Sequence, residues 1–176
     1  RPGDAILISG SLGDHGMAVM AQREGIHMDM PVESDCAPLH ELVKDMLSAS
    51  PGVRAMRDPT RGGLATTLHE LAMSSTCGMM VREKDIPVKD AVRGACEILG
   101  FDPLYLANEG KLVAVVARDD TDKVLKAMQA HPLGQKASII GEVTGKGEKS
   151  GVYLKTPYGG TRILDMPVDD PLPRIC

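Results

Sequence analysis

Apolar positions along the chain alternate between two rhythms, short continuous runs and a three-to-four residue spacing, and the rhythm changes at glycine and proline. Residues 5–9 form a compact apolar run that predicts a buried strand, and Met17, Met20 and Ala21 follow at helical spacing up to Gly25. Residues 35–47 predict a second helix with Leu39, Leu42, Val43, Met46 and Leu47 on one face, ended by Pro51-Gly52. A strand at 53–56 leads to a helix carrying Leu64, Leu68, Leu71 and Ala72, then a strand at 78–82. Residues 88–99 place Val88, Val92, Ala95, Cys96 and Leu99 on one stripe, and 103–107 is a short apolar connection. The most continuous apolar run, 112–117, predicts a central strand. Residues 119–130 read as an amphipathic helix with Val124, Leu125 and Met128 inward. Three short strands, 137–143, 151–156 and 161–164, complete the pattern, with the Lys- and Gly-rich stretch 145–151 read as a mobile hairpin. The alternation predicts an α/β fold, a mixed sheet of about six strands with four or five flanking helices.

Composition narrows this picture. A chain of 176 residues accommodates one domain, and with no Trp, one Phe and 11 Met its core must be aliphatic and Met-rich. A net charge of −4 without any Lys/Arg run argues against a nucleic-acid surface or a polybasic membrane patch. No apolar run approaches the ~20 residues of a membrane helix, and no signal-peptide pattern is present, so the cytoplasm is the expected compartment. Cys36, Cys77, Cys96 and Cys176 lie far apart without a C-x-x-C pair, so neither a metal site nor a disulfide framework is expected. Cys96 belongs to the helical stripe and is expected in the core; Cys36 and Cys77 receive the same structural reading. The opening Arg1-Pro2-Gly3-Asp4, without methionine and directly before a strand, reads as an interdomain turn of a longer protein.

Four stretches carry candidate chemistry. Gly10-Ser11-Leu12-Gly13-Asp14-His15-Gly16 sits between a strand and a helix, where free backbone N–H groups favour an anion, although such turns are more often only turns. Arg57-Asp58-Pro59-Thr60-Arg61-Gly62-Gly63 forms a second loop-to-helix entrance; it suits a phosphate, or else Asp58 and Thr60 cap the helix and Arg61 pairs with Asp58. Glu109, just before the apolar run at 112–117, reads either as a loop residue or as a partly desolvated general base. The chain closes on Pro171-Leu172-Pro173-Arg174-Ile175-Cys176, in which two prolines predict an extended arm carrying a thiol at its tip.

Together Ser9-Gly10-Ser11-Leu12-Gly13-Asp14-His15-Gly16, the 57–63 loop, Asn108-Glu109-Gly110-Lys111-Leu112 and the ending Pro173-Arg174-Ile175-Cys176 make the chain resemble the HypE family of hydrogenase maturation factors. That family lies within the aminoimidazole ribonucleotide synthetase (PurM-like) superfamily. The resemblance implies a PurM C-terminal-like domain at 1–165 and an arm at 166–176, with the N-terminal ATP-binding domain outside this sequence. It implies an ATP-dependent carbamoyl dehydratase acting on its own tail. A carbamoyltransferase, HypF, loads Cys176; ATP activates the carbamoyl oxygen; Glu109 removes protons from nitrogen; phosphate leaves an S-cyanated cysteine. The cyanide passes to iron held by HypC and HypD, toward the [NiFe] hydrogenase site. Gly10, Gly13, Asp14, His15, Gly16, Asp58, Arg61, Gly62 and Gly63 are the implied nucleotide-side residues, with His15 expected to order its loop. ATP and Mg are implied to be bound mostly by the N-terminal domain, which also forms the homodimer, so the isolated piece is expected to be inactive. The rivals are another PurM-like enzyme, such as selenophosphate synthetase or thiamine monophosphate kinase, and a non-catalytic docking domain.

Overall fold

The structure, a computed structural model, describes residues 1–25, 32–146 and 151–166. Its strands are β1 (Ala5–Ile8), β2 (Val53–Arg57), β3 (Cys77–Arg82), β4 (Val113–Val116), β5 (Ser138–Lys146), β6 (Val152–Lys155) and β7 (Thr161–Ile163). Its helices are α1 (Asp14–Glu24), α2 (His40–Ala49), α3 (Gly63–Ser75), α4 (Asp90–Leu99) and α5 (Thr121–Ala130). One sheet runs in the order β2-β4-β1-β5-β3-β6-β7, antiparallel throughout except for the parallel pair β3 and β6. The mixed α/β expectation therefore holds, with seven strands where about six were read.

Alternation along the strands splits the interior into two layers. Ile6, Ile8, Val113 and Val115 face α3 and pack with Leu64, Leu68 and Ala72, while Leu7, Ala114 and Val116 face α2 and α5 through Leu42, Met46, Val124 and Met128. All four residues of β4 are buried, which explains the unbroken apolar run. A third cluster joins α1 to α4 through Met17, Met20, Val92 and Cys96. Each fully buried Leu or Met here stabilises the fold by about 1.5–3 kcal/mol before entropy is subtracted.

Two local expectations need correction. Helix α2 starts at His40 rather than at 35, because Pro38 disfavours helical backbone at Ala37 and the Asp35 side chain is engaged elsewhere. Leu47, read as inward, is 51% exposed, because the chain packs that helix through Leu42 and Met46. The hairpin expected at 145–151 falls largely on residues outside those described; β5 and β6, on either side of it, flank β3 and do not pair with each other. Residues 147–150 and the arm from 167 to Cys176 lie outside the described residues.

Candidate active site

The sheet register brings three of the four candidate stretches to one place. Val113 is paired with Ile8 on one side and with Arg57 on the other, and β4 runs antiparallel to both β1 and β2. The glycine-rich loop therefore leaves β1, the 57–63 loop leaves β2 and the 108–112 stretch enters β4 at the same end of the sheet. Ser9 reinforces the junction: its N–H donates to the Leu112 carbonyl and its Oγ accepts from the Leu112 N–H, each at 3.0 Å.

Asn108, fully buried, ties the three loops together. Its Oδ1 accepts from the Gly13 N–H at 2.8 Å, and its Nδ2 donates to the carbonyls of Pro59 at 3.0 Å and Leu106 at 2.9 Å. Its own N–H donates to Pro59 at 3.1 Å. Behind it, Gly63 allows α3 to start against the carbonyls of Leu104 and Leu106, where a Cβ would fall 2.6 Å from both oxygens.

The glycine-rich loop does not fit a phosphate cradle by itself. Its N–H donors at Leu12, Gly13 and Gly16 are already taken by Pro87, Asn108 Oδ1 and Ala107. The carboxylate of Asp14, 2% exposed, sits at the start of α1, where it complements the helix dipole and would repel an anion. Asp14 Oδ2 accepts from Ser11 Oγ at 2.6 Å and pairs with Lys89 Nζ at 3.0 Å, while Oδ1 is buried without a hydrogen-bond partner among the described residues. His15 Nδ1 is 2.9 Å from Ser34 Oγ, a contact that orders the loop against the segment after residue 31.

At the second entrance the first residue before α3 is Gly62, and no side chain caps the helix, so Asp58 and Thr60 do not take the capping role. Thr67 Oγ1 instead donates to the Gly63 carbonyl at 3.0 Å. Arg57 pairs with Glu70 on α3, and Asp58 and Arg61 are exposed at the surface. This loop, unlike the first, presents its charged groups outward, toward anything placed against this end of the sheet.

Glu109 is exposed rather than desolvated, because it sits on the outer side of a turn whose inner side is Asn108 and Gly110. That turn is held by Asp35, which sequence reasoning placed in a helix and gave no role. Asp35 Oδ1 accepts from the Glu109 N–H at 3.0 Å, and Oδ2 pairs with Lys111 Nζ at 2.9 Å. The pair is nearly dry, with side chains 3% and 12% exposed. Between them Gly110 is pressed on the Asp35 carbonyl so closely that a Cβ would lie 1.7 Å from its oxygen. Asp35, Asn108 and Lys111 are the functional candidates the sequence left without a role; the glycine between two polar residues in Asn108-Glu109-Gly110-Lys111 was their signal.

A cleft of about 410 Å³ opens between these segments, lined among others by Gly10, Asp14, Asp35, Cys36, Lys89 and Lys111. Cys36, expected in the core, is exposed, since its segment is a strap across the surface. Cys77 and Cys96 are buried as expected, and burial, reinforced by the charge of Asp102, pushes the Cys96 thiol up to about 11. Among the described residues no group of three or more His, Cys, Asp or Glu is placed to hold a metal ion, and no helix is long and apolar enough to cross a membrane. Cys176 lies outside the described residues.

Comparison with known proteins adds the following. Residues 1–154 match the family of AIR synthase related protein, C-terminal domain. The chain is 53% identical over 176 residues to the carbamoyl dehydratase HypE of Cupriavidus necator, covering 100% of this chain and 50% of that protein. A crystal structure of a HypE–HypF complex superposes with a TM-score of 0.90 at 47% identity, covering 95% of this chain and 54% of the other. A crystal structure of the hydrogenase maturation protein HypE in complex with ATP superposes with a TM-score of 0.91 at 44% identity, covering 97% and 52%. The chain thus spans about half the length of the curated relatives it matches.

Proposed function

The chain belongs to the AIR synthase related protein C-terminal domain family, and from that premise we propose that it is the C-terminal domain of a hydrogenase maturation factor that dehydrates a carbamoyl group on its own terminal cysteine. The observation that carries this reading is the 53% identity, over the whole chain, to a carbamoyl dehydratase HypE. It is supported by the convergence of the three motif loops on Asn108. In this reading residues 1–165 are the folded domain and 166–176 the arm, and HypF transfers the carbamoyl group to the Cys176 thiol.

The thiocarbamate S–C(=O)–NH₂ and ATP give the thiocyanate S–C≡N, ADP and phosphate. The carbamoyl oxygen leaves with phosphate, and nitrogen loses both protons. This chain's part is to present the thiol on Cys176 and to remove a proton from nitrogen at the Glu109 carboxylate. The exposed setting of Glu109 suits a base whose substrate arrives from outside the domain, and the rigid turn beneath it supplies position. ATP supplies the activating phosphoryl group when bound, chiefly on the N-terminal domain, where Mg also belongs. From this chain the Asp58, Arg61, Gly62 and Gly63 loop contributes the groups that face it. Gly10 and Asp14 line the cleft, and Gly13, His15 and Gly16 shape the loop behind it rather than cradle phosphate. HypC and HypD receive the cyanide, and the homodimer forms through the N-terminal domain.

An isotope experiment tests the function. With ¹⁸O in the carbamoyl group of the full-length protein, ATP turnover is expected to release labelled inorganic phosphate and leave a nitrile stretch in the infrared spectrum. Label released only as water, or loss of the carbamoyl group without nitrile, would contradict the reading.

A further inference from the structure

We infer that Asp35 is the positioning residue of Glu109: its carboxylate clamps the 109–111 turn from both ends and so aims the Glu109 side chain. The inference rests on the reading of Glu109 as the base, and it goes beyond that reading by assigning a role to a residue from a different part of the chain.

Three observations carry it. Among the described residues no side chain bonds the Glu109 carboxylate, so its direction is set by its backbone. Asp35 grips that backbone at the Glu109 N–H through Oδ1 and holds the Lys111 side chain by its ammonium on Oδ2, with Gly110 seated on the Asp35 carbonyl between them. Asn108 anchors the residue before. Asp35 also belongs to none of the apolar clusters, yet its carboxylate is buried to 3% exposure. Burying a charge is unfavourable unless every oxygen is engaged, and an apolar residue would fill such a space at least as stably. What a carboxylate does here that a hydrocarbon cannot is hold two separated donors of one turn at fixed separation. Its neighbour Ser34 meets His15, so the strap at 32–37 also spans from the glycine-rich loop to the Glu109 turn.

The effect expected follows from geometry. A catalytic group displaced by about 1 Å loses on the order of 100-fold in rate, so releasing the turn should slow proton removal without touching thiol loading. Asp35→Asn keeps an oxygen to accept from the Glu109 N–H and is expected to retain more activity than Asp35→Ala.

The test uses the full-length protein, loaded on its terminal cysteine by the carbamoyltransferase and followed in single turnover by mass. Asp35→Ala should load normally and dehydrate about 10–100-fold more slowly, with Asp35→Asn between it and wild type. Hydrogen exchange of the Glu109 amide should speed up in the same order. Loading of Cys176 in Asp35→Ala should stay at its wild-type value, because the change acts on the turn at residue 109. Slowed dehydration without faster exchange of the Glu109 amide would overturn the inference by assigning Asp35 a general structural role. Wild-type dehydration by Asp35→Ala, with Glu109→Gln inactive, would overturn it while leaving the function standing. Normal dehydration by Glu109→Gln would overturn the inference together with the reading of Glu109 as the base. If Asp35→Ala fails to fold, Asp35→Glu keeps the charge for Lys111 but moves the acceptor; wild-type dehydration in that variant would equally overturn the inference.

Discussion

Asn108 directs two donors at a single oxygen of Pro59: its backbone N–H at 3.1 Å and its side-chain Nδ2 at 3.0 Å. A doubly used acceptor between residues far apart in sequence is a rivet. With Oδ1 on the Gly13 N–H, it fixes the glycine-rich loop, the 57–63 loop and the Glu109 turn relative to one another without any of them belonging to a strand.

Replacing Asn108 by Ala strands the Gly13 N–H and the Leu106 carbonyl in a dry interior and leaves the Pro59 carbonyl only its backbone donor. Each buried polar group left unpaired costs roughly 1–3 kcal/mol, so a loss of about 3 kcal/mol in urea unfolding is expected after relaxation. Asn108→Asp, which cannot donate to the two carbonyls, should fall nearly as far. A loss below about 0.5 kcal/mol, the range of an inconsequential surface change, would show that the rivet contributes nothing.

Two glycines should respond oppositely to alanine. At Gly110 the added methyl meets the Asp35 carbonyl 1.7 Å away, so the strap must move and dehydration should drop on the order of 10-fold or more. At Gly94, inside α4, nothing lies within 4 Å of the new Cβ, and Gly94→Ala should stabilise by about 0.5–1 kcal/mol through helix propensity. Thermal unfolding and single-turnover mass measurements check both.

The thiols should separate by reactivity. Iodoacetamide at mildly alkaline pH is expected to label Cys36, which is exposed, and to spare Cys77 and Cys96, which are buried, until denaturant is added. Peptide mapping reads the result directly; prompt labelling of Cys96 in the folded protein would contradict its placement between α1 and α4.

Cys96 also predicts a pH effect. Burial raises its pKa from 9.0 to about 11, so above the unfolded value the native state still holds a proton that the unfolded chain has lost. Stability from this thiol is therefore full below about pH 9 and is lost as pH rises toward 11. The alkaline decline in wild type should exceed that in Cys96→Ala over this window; equal slopes would contradict the shift.

Much of the fold was legible because it rests on short-range pattern. The β4 run announced a strand buried on both faces, and the α4 stripe placed Cys96 in the core. The misses have long-range causes. Pro38 is a local signal against a helix start at 35, but the Lys111 partner that draws Asp35 away is distant in the chain, and nothing near residue 35 in sequence reveals it. Strand neighbours were equally hidden: the order that puts β3 between β5 and β6 follows from pairing, not from adjacency in sequence. The site shows the same division. Its motifs could be read one by one, but their meeting depends on Val113 sharing a rung with Ile8 and Arg57. The sequence leaves Glu109 either a loop residue or a partly desolvated base; the turn faces it outward, which the residues next to it do not reveal.

The central claim is that this domain supplies both the thiol that carries the carbamoyl group and the base that helps dehydrate it. Intact-mass spectrometry of the full-length protein with HypF, a carbamoyl donor and ATP tests it most directly. Wild type should gain one carbamoyl mass and then lose one water, Cys176→Ala should gain nothing, and Glu109→Gln should stop at the carbamoyl adduct. An adduct that persists in Cys176→Ala, or water loss at the wild-type rate in Glu109→Gln, would contradict the account.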